Sequence, residues 1–124
     1  MRVVVLGVRG SVCAPGPEFV RYGGNTSCLA LSTGPDEPPT LLLDAGTGIR
    51  TATAMLAGKP FRGTILVSHV HWDHVQGLPF FSAGDRAGAK VAMLVPAQGG
   101  KSGRDLPPCE GGHARSRAGW QVRS

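Results

Sequence analysis

Three of the chain's four histidines fall, together with an aspartate, inside the seven residues Ser68 to His74, SHVHWDH. The run Thr64–Val67 leads straight into them and is β-branched and apolar, which is a strand signal. In the extended chain just past a strand, His69 and His71 are two residues apart and point the same way, so both can reach one ion. Asp73 and His74 follow after a bend and project differently. One loop therefore offers a ligand pair to each of two neighbouring ions. Two metals about 3.5–4 Å apart are a known means of hydrolysing phosphate esters and amides, through a hydroxide generated near neutral pH and a polarised bond. The bland alternative, a polar loop with satisfied histidines, suits a lone His better than three in one loop.

The rest of the chain has to supply a sheet whose strand ends meet this loop. Met1 to Val8 is predicted as a buried strand, a β-branched run closed by Gly7 and Gly10. A Gly- and Pro-rich loop covers residues 9–26. Ser27–Ser32 reads as a second strand with Leu29 and Leu31 on one face, and Thr40–Leu43 as a third after the turn Gly34–Pro39. The alanine-rich segment Ile49–Ala57, stopped by Gly58, is predicted to be a helix. Thr64–Val67 and Lys90–Val95 are the fourth and fifth strands. This order predicts an α/β or α+β sheet with functional residues at strand ends.

At 124 residues, with 41% hydrophobic and 17% charged content, the chain suits one globular domain. Residues 98–124 differ in character, with six glycines, five Lys/Arg and no countable period, and are predicted to be an irregular, disordered tail. Residues 1–97 carry a net charge of +2 and the tail +3, so the excess of the formal +5 belongs to the tail. A small basic nucleic-acid-binding protein is the reading that charge suggests, but Trp120 is the tail's only aromatic. Cys13, Cys28 and Cys109 are odd in number and lack a CxxC pairing, so they are expected to be free thiols in a reduced, cytoplasmic setting. No apolar run reaches the ~20 residues that span a bilayer.

The segment His69-Val70-His71-Trp72-Asp73-His74 matches the HxHxDH signature of the metallo-β-lactamase fold superfamily. Leu6-Gly7-Val8-Arg9-Gly10-Ser11, Tyr22 to Cys28, and Leu42 to Gly48 resemble its ribonuclease Z and phosphodiesterase branch more than β-lactamases proper or glyoxalase II. The resemblance covers about residues 1–97, the N-terminal half of an αββα sandwich. It implies a zinc-dependent hydrolase with two Zn²⁺ ions, acting on a phosphodiester such as a cyclic nucleotide or RNA. His69 and His71 would hold the first zinc, and Asp73 and His74 the second. Asp73 would also stand near the attacking water as a proton acceptor. Asp44 would orient the histidine loop from behind, with an Asx turn as the alternative reading. Trp72 is expected to pack beside the metals rather than meet substrate.

Members of that branch are longer and take further ligands from later segments. Here only His113, with Asp105 and Glu110 nearby, follows the loop, and its surroundings do not resemble the later histidine segment. The chain is therefore expected to be truncated relative to the family, with two ligands per metal where a catalytic zinc normally takes three. The alternative function is a non-catalytic remnant that binds metal weakly. An exposed apolar face, where the missing half would pack, would favour a homo-oligomer.

Overall fold

The structure, a computed structural model, describes residues 1–97 and 120–123. Six strands form one sheet in the order β1 (Arg2–Gly7), β2 (Cys28–Ser32), β3 (Leu41–Leu43), β4 (Arg62–Leu66), β5 (Lys90–Leu94) and β6 (Trp120–Arg123). The first three run antiparallel, and β3 to β6 are parallel. Parallel neighbours require crossovers. The β3–β4 crossover carries helix α1 (Ile49–Met55). The β4–β5 crossover carries the single-turn helix α2 (Trp72–Val75) and the 3-10 turns Leu78–Phe80 and Ser82–Gly84. Mixed α/β architecture with few helices is what the sequence predicts, and β1 to β5 start within two residues of expectation.

Strand alternation divides the sheet into two unlike faces. Cys28, Ala30, Leu42, Ile65 and Val91 are buried on the face that α1 and the 3-10 turns cover. Ile49 and Ala52 of α1, and Phe61 edge-on to Phe81 at 5.3 Å, complete that core. On the other face the register sets Val3 beside Leu31, Leu31 beside Leu41, Leu43 beside Leu66 and Leu66 beside Leu94. This face is apolar and partly bare: Val3 is 50% exposed and Val5 59%. The expectation of a buried first strand therefore does not hold. β1 is the sheet's edge and only Gly7 is fully buried in it, because half its side chains look out from the uncovered face.

The tail is corrected in part. Residues 98–119 and 124, including Asp105, Cys109, Glu110 and His113, lie outside the described residues. Trp120–Arg123, however, is no irregular tail, because β6 pairs parallel with β5 from Val91↔Trp120 to Leu94↔Arg123. Trp120 packs against the core and its indole N–H donates to the Gly84 carbonyl at 2.9 Å. Four residues are too few to show a period, and they join the sheet through backbone bonds and one aromatic side chain. Among the described residues no helix is long and apolar enough to cross a membrane.

Candidate metal centre

The loop after β4 is held from behind by Asp44, at the end of β3. Asp44 is buried, with backbone in the left-handed region at φ 61°, where non-glycine residues other than Asn and Asp are costly. That twist aims its carboxylate along the sheet's upper edge, where it accepts four hydrogen bonds. Oδ1 receives the Ser68 N–H at 2.8 Å and the Ser68 hydroxyl at 2.7 Å. Oδ2 receives the Ser27 hydroxyl at 2.9 Å and His74 Nδ1 at 2.8 Å. A carboxylate has about four acceptor positions, and all are used. Burial pushes the Asp44 carboxyl up, but the bonds from Ser68, His74 and Ser27 outweigh it and hold it below the usual carboxylate range.

These bonds fix ring tautomers. Ser68 has one hydroxyl proton, and the short bond to Asp44 takes it. At His69 Nδ1, 3.0 Å away, the hydroxyl can then only accept, so Nδ1 carries the proton and Nε2 the lone pair. His74, as a neutral imidazole, donates from Nδ1 to Asp44 and likewise leaves its Nε2 lone pair free. A carboxylate or hydroxyl behind a ring nitrogen is how metal-ligating histidines are commonly oriented.

The sequence-derived ligands are brought together. The His69 ring centroid is 4.6 Å from that of His71 and 3.9 Å from that of His74. His71 caps α2 in extended conformation, and the turn of α2 re-aims Asp73 and His74, which is the bend the spacing requires. Asp73 Oδ2 lies 3.6 Å from His74 Nε2 and accepts the Ser11 N–H at 2.7 Å. That N–H, with help from the nearby His74 and His69, holds the Asp73 carboxyl below its ordinary range. Ser11 too is left-handed, at φ 66°, so left-handed backbone occurs both at Asp44 and at the residue that holds Asp73. Imidazole nitrogens and a carboxylate are a donor set that suits Zn²⁺ and related divalent ions. Even so, among the described residues no three such groups already stand in a ligating arrangement.

Ser11, Ser27 and Ser68 are functional partners that residue type does not reveal. Ser68 alone carries a signal, as the residue between strand and first histidine. Trp72 is 72% exposed. The loop's base is packed without slack, because a Cβ on Gly46 would overlap the Asp73 carbonyl and the Thr26 hydroxyl. Gly46→Ala is expected to destabilise the fold at the upper end of the ~1–3 kcal/mol typical of overpacking, as a lowered thermal midpoint. Cys13 is exposed and Cys28 buried, and burial, with the Asp44 charge behind it, pushes the Cys28 thiol up to about 12. Peptide mapping after iodoacetamide treatment at pH 8 should find Cys13 modified in the native protein and Cys28 modified only after unfolding.

No family model matches the chain, and no curated protein or solved structure matches it.

Proposed function

We propose that the chain carries the histidine loop of a metal-dependent hydrolase of the metallo-β-lactamase fold, acting on phosphodiesters such as a cyclic nucleotide or RNA. The observation that carries this reading is Asp44. One carboxylate spends all its acceptor capacity on orienting His74 and the Ser68 that faces His69. A polar loop with no ligand to hold has no need of such investment in ring tautomers. The sheet supports the fold assignment, since helices cover one face and the other is apolar and partly bare, as in half of an αββα sandwich.

In this reading His69 and His71 hold one divalent ion, and Asp73 and His74 a second. Bound there, the ions supply Lewis acidity toward a phosphoryl oxygen. The chain's own contribution is positional. Asp44 and Ser68 keep the Nε2 lone pairs available, and Ser11 keeps Asp73 ionised and fixed, ready to accept a proton from an attacking water. Trp72 lies between His71 and Asp73 in the chain and its 72% exposure supports a contact with substrate.

A second reading, a remnant that binds metal weakly, draws on the lack of a three-ligand group among the described residues. The two part on one assay. The zinc-loaded chain is given bis(p-nitrophenyl) phosphate beside His71→Ala. Turnover that His71→Ala abolishes supports the hydrolase, and equal background release from both chains supports the remnant.

A further inference from the structure

Beside the histidine loop lies a cavity of about 540 Å³, inside the ~300–1,000 Å³ range of small-molecule pockets. It adjoins the loop through two connections. Cys13 of its wall is two residues from Ser11, whose N–H holds Asp73. Thr47 of its wall follows Gly46, which packs on the Asp73 carbonyl. Phe19, Val20 and Phe80 make the lining largely apolar, and Asn25, Thr47 and Arg50 bring polar groups.

Those polar groups are not equally free. The Thr47 hydroxyl donates to Asn25 Oδ1 at 3.2 Å and accepts the Thr26 N–H at 2.9 Å. Arg50 makes no salt bridge among the described residues. Arg9 sits over the Phe19 ring at 4.7 Å and adds positive charge behind that wall. No carboxylate is among the lining residues, and that of Glu18 lies against Gly16. The frame is rigid, with the Ala14 N–H bonded to the Gly24 carbonyl at 2.9 Å. An apolar cavity with aromatic walls and one unpaired guanidinium suits a flat apolar body with a single oxyanion, which the planar guanidinium fork can bind.

We infer that this cavity binds a small aromatic anion, its ring on the Phe19 and Phe80 walls and its phosphate-type group on Arg50. Binding needs no metal. Its use for the aromatic part of a phosphodiester substrate rests on the hydrolase reading above, but the binding itself does not.

The test uses the full chain in a chelator, with 1-naphthyl phosphate, 1-naphthol and inorganic phosphate as probes. Cys13 lines the cavity, so its rate of alkylation, followed by peptide mapping, reports occupancy. Saturable protection by 1-naphthyl phosphate is expected at roughly a tenth of the concentration that either half-molecule requires. Arg50→Gln should raise that concentration about five- to tenfold, the loss of one solvent-exposed charge-assisted contact, and leave 1-naphthol unchanged. Phe80→Ala should weaken both aromatic probes. Absence of protection, equal protection in Arg50→Gln, or inorganic phosphate acting as well as its naphthyl ester would each overturn the inference. Protection without zinc-dependent turnover of bis(p-nitrophenyl) phosphate would keep the cavity site and count against the hydrolase reading.

Discussion

Asp44→Ala is expected to remove about 3 kcal/mol of stability and to weaken metal binding by ~10–100-fold. The stability loss has three sources. The Ser68 N–H and His74 Nδ1 lose a charged acceptor in a partly buried place, at ~1 kcal/mol or more each. Alanine must also hold φ 61° without the local hydrogen bonding that lets Asp and Asn tolerate it, at roughly 1 kcal/mol. The two serine hydroxyls lose less, because the Ser68 side reaches water. Asp44→Asn keeps the backbone tolerance and one acceptor oxygen, so about half the loss is expected. Urea unfolding and zinc titration of the two variants separate the backbone part from the charge part. Out of the ~5–15 kcal/mol that holds a domain together, 3 is a large share.

The same carboxylate gives a pH signature. Its folded-state pKa lies below the ordinary 3.8, so folding favours the ionised form. Its contribution is complete above that ordinary value and is lost as pH falls through the lower native one. The stability difference between wild type and Asp44→Asn should therefore shrink as pH falls below about 4. A difference that went on growing below about pH 4 would contradict the hydrogen-bond account of Asp44.

Trp120→Ala should cost ~2–3 kcal/mol, somewhat under the ~3–5 of a fully buried aromatic, because Trp120 is only partly buried. The loss combines apolar contact with the core and the bond to the Gly84 carbonyl, where the indole stands so close that a Cβ on Gly84 would meet Cζ2 at 2.7 Å. Trp120→Phe keeps most of the contact and loses the bond, so it should recover more than half of the stability. A Trp120→Ala protein as stable as wild type would show that the indole contributes nothing to holding β6 on the core.

The elements that sequence made legible are those whose own residues define them. Val3 to Leu6, Leu29 and Leu31, and Thr64 to Val67 are strand-like by side-chain type, and Ile49 to Ala57 is helical by composition, of which Ile49–Met55 forms α1. Burial was less legible. Leu41, Leu42 and Leu43 are apolar in succession, and of the three only Leu42 is buried. Whether a second layer covers a face is decided by other parts of a fold, not by the strand itself. β6 escaped because four residues carry no period, and its evidence is tertiary: a parallel neighbour and one ring.

The site divides the same way. The histidines and Asp73 announce themselves by type and spacing, and Asp44 only through the resemblance of its segment to the metallo-β-lactamase pattern. Ser11 does not, because its contribution is a backbone N–H that reaches Asp73 only when chain segments 62 residues apart are brought together. Nor does Ser27, whose hydroxyl matters because antiparallel pairing sets Leu29 opposite Leu43 and so brings the two strand ends together. The exposure of Trp72 was likewise out of reach, since it depends on which side of α2 meets solvent.

We propose that the loop His69 to His74 is a metal site ordered by Asp44. Equilibrium dialysis of the full chain against zinc, with elemental analysis of the retained metal, tests it most directly. Two zinc ions per wild-type chain are expected, with the ion at His69 and His71 lost in the double variant His69→Ala/His71→Ala and a ~10–100-fold weaker affinity in Asp44→Asn. Zinc uptake that is substoichiometric, or that the double variant retains in full, would contradict it.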